Sequence, residues 1–132
     1  MRYHPAQLPP AVRANVCNGM GPRGGLAFRF LVWLLDWLGP GRVFHAAADV
    51  HDLGYALGGT EQDRHEADDQ FMIDMAHAWR AHSGLTRWAL RAVAHWAHSA
   101  VDELGDDLAF HYRPRRLTVA ELIVEKTAPK KS

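Results

Sequence analysis

The sequence has little of several residue types, and each shortage excludes a class of protein. It contains one cysteine, Cys17, so no intramolecular disulfide can form. It has no excess of either charge, because fifteen Lys and Arg residues balance fifteen Asp and Glu residues. A balanced chain lacks the positive field that holds DNA or RNA through many phosphate contacts, so we expect no nucleic-acid partner.

No apolar run is long enough to cross a bilayer. The best candidate, LAFRFLVWLLDWL at 26–38, contains Arg29 and Asp36 and is shorter than the roughly 20 apolar residues that a spanning helix needs. It predicts either a core helix or a helix with an apolar side left for a membrane surface or a partner. The segment MRYHPAQLPPAVRANV carries prolines where an export signal has its apolar part, so we expect no signal peptide. Localisation then stays open between the cytoplasm, release by an unconventional route, and a viral or toxin particle.

What remains is the composition of one globular domain, with 132 residues of which 48% are hydrophobic. Glycine and proline divide it. NVCNGMGPRGG at 15–25 predicts a loop, and the periodic segments predict helices at 26–38, about 42–57, 61 to about 82, and 86 to about 104. We therefore predict an all-α fold, with a helical domain over 1–112 and a partly flexible C-terminal extension over 113–132. Within that extension, LTVAELIV at 117–124 is rich enough in β-branched residues to predict a short strand.

Two of these helices have clear boundaries and faces. Gly58 and Gly59 should end the second helix, and Thr60 with Asp63 should cap the third. The third helix carries an apolar stripe that should face a neighbour, and the fourth carries aromatic and polar residues on related faces. The stripe is Ala67, Phe71, Met75, Ala78 and Trp79, and the fourth-helix set is Trp88, Ala92, His95, Trp96 and Ser99.

The segment FHAAADVHDLGYALGG at 44–59 places a histidine, a carboxylate and a tyrosine on one helix. His51 and Tyr55 are four residues apart and share a face. Asp68 lies on the side of the third helix that should pack against them, and a short antiparallel connection would return it to their level. Because a carboxylate can orient an imidazole for proton transfer, these residues predict a His–Asp dyad whose carboxylate accepts a hydrogen bond from Tyr55.

Asp52 should point away from that dyad, towards the glycine-rich loop CNGMGP at 17–22. Such a loop can curl and expose carbonyl oxygens on one side. Calcium prefers carbonyl and carboxylate oxygens in a flexible shell. The loop and Asp52 therefore predict a Ca²⁺ site.

CNGMGP, HAAADVHDLGY and ADDQF, taken in this order, resemble the phospholipase A2 superfamily, and most closely its disulfide-poor prokaryotic and viral branches. The resemblance covers 15–75, under half of the chain. It implies a fold with two antiparallel catalytic helices, a preceding calcium loop and additional helices. It also implies calcium-dependent hydrolysis of a glycerophospholipid acyl ester, usually at the sn-2 position.

By the same resemblance, His51 is the base that activates water, Asp68 orients it and Tyr55 steadies Asp68. The metal ligands would be Asp52 and the carbonyl oxygens of Cys17, Gly19 and Gly21, and the Gly19 amide could donate to the oxyanion. The expected partner is a phospholipid membrane surface, met peripherally. An immunity or carrier protein is compatible with this hypothesis, and the oligomeric state is left undetermined.

The sequence departs from that family at two positions. Gly54 stands where secreted members have a disulfide-bonded cysteine, and Pro22 replaces the second glycine of a usual pair. These changes put the loop shape and extracellular robustness in question. The runner-up function is a non-catalytic, calcium-stabilised lipid- or protein-binding module of a larger viral or toxin assembly.

Three other chemistries are weaker. His95 and His98 are three apart and could share a metal. HEAD at 65–68 begins like a zinc-protease helix but lacks its second histidine. Cys17 could act as a thiol nucleophile with His51.

For lipid contact, Trp33 and Trp37 on the 26–38 segment are the expected apolar anchors, because tryptophan favours headgroup depth.

Overall fold

A computed structural model describes residues 3–17, 43–104 and 110–128, and it confirms the all-α prediction for them. A short 3-10 helix, Pro5–Gln7, precedes the first α-helix. The α-helices in these described residues are α1 (Pro10–Val16), α2 (His45–Leu57), α3 (Glu61–Arg80), α4 (Gly84–Leu104) and α5 (Val119–Thr127). In these parts of the chain no strand forms, and β pairing is limited to an isolated bridge between Gly59 and Tyr112. The phospholipase A2-like arrangement remains a prediction.

The turn between α2 and α3 follows the signals in the sequence. Gly58 and Gly59 have φ values of 67° and 127°, which β-carbon-bearing residues rarely adopt. The Gly58 amide donates to the Gly54 carbonyl at 3.1 Å and closes α2. Thr60 and Asp63 then form a reciprocal capping box, with the Thr60 amide donating to Asp63 Oδ2 at 2.9 Å. This connection makes α2 and α3 antiparallel neighbours.

One core cluster joins α2, α3 and α4. Three residues of the predicted stripe of α3, Phe71, Met75 and Trp79, are buried in it and are no more than 8% exposed. Ala78 is partly buried against this cluster, whereas Ala67 packs in a separate cluster with Tyr55 and Phe110. The α4 residues that pack there are Leu90, Ala94 and Ala97. The aromatic set singled out on α4 lies on the other side of that helix, with Trp88 71% and Trp96 48% exposed. A leucine and two alanines of α4 therefore make the close contact, and its tryptophans lie outside.

A second core cluster joins α1, α2 and α5. Leu122 of α5 is fully buried in a group that includes Val12 of α1 and Leu53 of α2. The predicted strand at 117–124 is therefore wrong, since most of it belongs to α5. Thr118 caps this helix and Glu121 completes the capping box, so local hydrogen bonds and the burial of Leu122 outweigh β propensity.

The segment before α5 runs along the turn between α2 and α3. The His111 amide donates to the Tyr55 carbonyl at 3.3 Å, the Arg113 amide to the Gly59 carbonyl at 2.8 Å, and the Leu117 amide to the Leu57 carbonyl at 3.1 Å. The predicted boundary between 112 and 113 falls inside this segment. These bonds hold the C-terminal end of α2 from a second side.

Several predictions fall on other parts of the chain. The helix at 26–38 with Trp33 and Trp37, and the loop residues Gly19, Gly21 and Pro22, lie outside the described residues. Among the helices that are described, none combines the length and apolarity needed to span a bilayer.

Candidate functional site

The predicted dyad forms between α2 and α3. His51 Nε2 lies 2.9 Å from Asp68 Oδ1. His51 is 4% exposed and Asp68 is 1% exposed, so the contact is almost fully shielded from water. Its two residues come from antiparallel helices that the Gly58–Gly59 turn connects. Interactions between such groups are stronger in this low-dielectric setting than at the surface, and an unpaired polar group there would be costly.

The Asp68 carboxylate has two further donors. The Tyr55 hydroxyl donates to Oδ1 at 2.7 Å, as the sequence predicts. Arg64 donates from Nη1 to Oδ2 at 3.2 Å, one turn before Asp68 on α3. Burial, followed by the hydrogen bond to Asp68, raises the pKa of Tyr55 above its ordinary value. The phenol therefore stays a donor at physiological pH, and the carboxylate is fixed from three directions.

Aromatic side chains hold the imidazole in place. The His51 ring centroid lies 4.2 Å from that of Tyr55 and 4.7 Å from that of Phe71, both tilted. Phe110 then packs edge-on against Tyr55 at 5.2 Å, from the segment that follows α4. Phe71 of the ADDQF motif is thus part of the wall around His51. A ring packed on two sides has little rotational freedom, which suits an oriented base.

Gly54 allows the close approach of elements on the other side of α2. A β-carbon there would collide with the hydroxyl of Tyr3 and lie 3.2 Å from the β-carbon of Ala67 on α3. The glycine thus leaves room for the Tyr3 side chain next to the α2–α3 contact. Tyr3 therefore packs against α2 at the position of Gly54.

The other two described members of the predicted set, Asp52 and Cys17, lie on a second side of α2. Cys17 caps the C-terminus of α1, and its thiol lies 3.6 Å from the Asp49 carbonyl oxygen on α2. Burial, with smaller contributions from the charges of Asp49 and Asp52, raises the pKa of the thiol to about 12. Such a thiol is protonated at neutral pH, which argues against its use as a nucleophile.

This neighbourhood fits one end of a calcium site. Asp52 Oδ2 is a buried carboxylate oxygen, and the negative charge of Asp52 helps to raise the pKa of Cys17. Helix α1 ends at Cys17, and the C-terminus of a helix carries unpaired carbonyl oxygens and a partial negative charge. The predicted ligands Gly19 and Gly21 lie outside the described residues. The donors that are described, one carboxylate and a helix terminus, have the oxygen chemistry that calcium prefers.

The alternative metal sites gain no support from the described geometry. His98 Nε2 lies 3.6 Å from Asp69 Oδ1, and His95 points to a different groove described below. Within residues 3–17, 43–104 and 110–128, no three His, Cys, Asp or Glu side chains gather in a way that could hold a metal ion. The predicted calcium site has a single side-chain ligand and takes its other ligands from backbone carbonyl oxygens, so it would not form such a cluster.

Arg64 is the member of the site that sequence reasoning missed. It is 5% exposed, and it joins buried Asp68 to Glu61, whose carboxylate it contacts at 2.7 Å. The signal in the sequence is the spacing of four between Arg64 and Asp68, which places opposite charges on one helical face. That spacing is common on solvated helix surfaces, so it does not by itself predict a buried pair.

Comparisons with protein-family models, curated proteins and solved structures found no match to this chain. The case for a function therefore rests on the residues and their geometry.

Proposed function

We propose that this chain is a calcium-dependent hydrolase of glycerophospholipid acyl esters, similar to phospholipase A2, with a preference for the sn-2 position. The observation that carries the proposal is the buried contact of 2.9 Å between His51 Nε2 and Asp68 Oδ1, reinforced by the Tyr55 hydroxyl. The contact joins residues seventeen positions apart that the family resemblance pairs for this chemistry.

In this mechanism His51 is the general base. With Nε2–H donating to Asp68, the lone pair on Nδ1 is left to accept a proton from water as the water oxygen attacks the ester carbonyl. No residue in the described part of the chain hydrogen-bonds to Nδ1. Asp68 stabilises the imidazolium that forms, and the same proton is later available to the leaving alkoxide. Tyr55 and Arg64 keep Asp68 in place and touch neither water nor ester.

Calcium, when bound, would polarise the ester carbonyl and stabilise the oxyanion. Asp52 and the backbone of Cys17 would hold it, together with the carbonyl oxygens of Gly19 and Gly21. Cys17 would contribute its carbonyl oxygen rather than its sulfur, since calcium prefers oxygen ligands.

The test is release of fatty acid from phospholipid vesicles with and without calcium. Hydrolysis should require calcium, and His51→Ala should lower it by roughly 10²- to 10⁴-fold, the usual contribution of general-base catalysis. His82→Ala is the matched control, because His82 lies just beyond the end of α3 and makes no contact with the dyad. Equal losses of hydrolytic activity in both variants would contradict the proposal, and so would fatty-acid release that is the same with and without calcium.

One observation favours the non-catalytic alternative. The Arg64 guanidinium lies 3.2 Å from Asp68 and offsets the negative charge that would stabilise an imidazolium. If the dyad served only to brace α2 against α3, the chain would be a calcium-stabilised lipid- or protein-binding module of a larger assembly. That alternative predicts calcium binding without fatty-acid release, with the folded state still weakened by His51→Ala.

A further inference from the structure

A groove between α3 and α4 collects positive charge around one buried tryptophan. Its volume is about 360 Å³, and its lining includes Trp79, Arg80, Arg91 and the histidines His77 and His95. We call it the Trp79 groove. It is separate from the dyad, because none of the residues that contact Asp68 lines it.

Three guanidinium groups surround the Trp79 ring. Arg80, Arg87 and Arg91 lie 5.3, 5.5 and 5.8 Å from its centroid, within cation–π distance. In the described residues no carboxylate pairs with any of the three. Asp69, one turn before the groove on α3, lies 3.6 Å from His98 Nε2. Like charges gathered without a counter-ion repel one another, so this arrangement favours an anion supplied from outside.

The indole of Trp79 supplies a second, independent indication. Trp79 is 8% exposed, and its Nε1 is buried with no hydrogen-bond acceptor in the part of the chain that the structure describes. A buried N–H without an acceptor has lost its hydrogen bonds to water and gained none in return, which is unfavourable. An anionic oxygen entering the groove, with the exposed arginine side chains moving to admit it, would satisfy this donor. The groove thus has both the charge and the unused donor of an anion site.

The apolar residues near the groove indicate which class of molecule bears the anionic group. Met72 and Ala76 line the groove beside the cations, and Ile73 at its edge is 50% exposed. On α4, Trp88 comes three residues before Arg91 and Leu85 comes two residues before Arg87. Trp88 and Leu85 are 71% and 87% exposed. A free inorganic anion would make no use of these apolar groups, whereas a bilayer accepts indole and aliphatic side chains at headgroup depth.

We propose that the Trp79 groove binds the phosphate of an anionic phospholipid at a bilayer surface, with Trp88 and Leu85 entering the interface beside it. The site deepens the proposed function and rests on it for the choice of a lipid as the carrier. It also shows how a chain of zero net charge can be attracted to anionic lipid, since the relevant charge is local.

The experiment is sedimentation of the full chain with vesicles of ether-linked phospholipids, which contain no acyl ester. Binding is then measured apart from hydrolysis, so its failure is distinct from failure of the proposed function. The protein should sediment with phosphatidylglycerol vesicles and much less with phosphatidylcholine vesicles. Arg80→Gln combined with Arg91→Gln should weaken binding roughly 10- to 30-fold, because each basic residue near an anionic surface is worth about 1 kcal/mol.

The matched control is Arg115→Gln combined with Lys126→Gln, which removes the same two charges from exposed positions elsewhere. Equal losses in the two double variants would overturn the site, since net charge alone would explain them. Trp88→Ala should also weaken vesicle binding, and unchanged binding in that variant would overturn the interfacial role. Titration with inorganic phosphate separates the two sources of the anion. Tight phosphate binding that depends on Arg80 and Arg91, without vesicle binding, would overturn the lipid assignment.

Discussion

The dyad and the Trp79 groove lie on the same two-helix scaffold but treat charge in opposite ways. Around Asp68 every charge is buried and paired, with three donors from α2 and α3 converging on one carboxylate. Around Trp79 the cations are exposed and have no carboxylate partner in the described residues. A closed network of this kind fixes geometry, which suits catalysis, whereas unpaired charge leaves binding energy for an external ligand.

The strongest test of this difference removes one arginine from each region. Arg64→Met should cost about 3 kcal/mol or more in the free energy of unfolding, because it leaves the buried Asp68 carboxylate without its cation. Arg91→Met should change stability by no more than about 0.5–1 kcal/mol, since it removes an exposed cation from among like charges. Urea unfolding measures both. Equal effects would mean that the two regions do not differ in the way described.

Calcium binding tests a third region of charge, around Asp52 on α2. If Asp52 binds it, calcium at about 100 times its dissociation constant should stabilise the fold by about 2.7 kcal/mol, and magnesium much less. Asp52→Asn should abolish the rise in melting temperature. Asp69→Asn should leave it unchanged, since Asp69 is an exposed carboxylate on α3. A melting temperature that does not change in millimolar calcium would exclude the site.

The α2–α3 unit was largely predictable from the sequence. Gly58, Gly59 and Thr60 fix the connection because each occupies a position that few other residues tolerate. Once that turn is known, helical rise and periodicity bring Asp68 to His51 without further information. The dyad was therefore predictable from local signals, and its catalytic role stays a proposal.

The remaining features depend on long-range contacts that local patterns do not contain. Both sides of α4 read as apolar, and only the fold decides that Ala94 packs while Trp88 stays outside. In α5, β-branched residues indicated a strand, but burial of Leu122 against α1 and α2 selects the helix. Arg64 was missed for a similar reason, since its spacing from Asp68 does not reveal burial.

A smaller effect compares two phenols that donate to carboxylates. Tyr55→Phe removes a buried hydrogen bond to Asp68 and should cost about 1 kcal/mol in the free energy of unfolding. Tyr112→Phe removes the bond of 2.6 Å to Glu61, whose surroundings are exposed, and should cost less. Thermal melts of the two variants at neutral pH make the comparison. A larger loss from Tyr112→Phe would contradict the view that burial sets the value of these bonds.

The smallest effect lies at the outer end of the buried network, where Arg64 meets Glu61. Hydrogen bonds from Arg64 and Tyr112 lower the pKa of Glu61 from 4.5 to about 2. Because the pKa is lower in the folded state, the stabilisation is complete above about pH 4.5 and is lost as the pH falls towards 2. Wild type should therefore lose more stability than Glu61→Gln between pH 5 and pH 2.5 in thermal melts, by a small margin because the carboxylate is exposed.

Glu121→Gln is the control, since Arg115 lowers the pKa of Glu121 to about 2 at a remote position on α5. It should remove its own share of the acid dependence and leave that of Glu61 in place. Identical acid sensitivity in wild type and Glu61→Gln would show that the surface carboxylate contributes nothing to the network it touches.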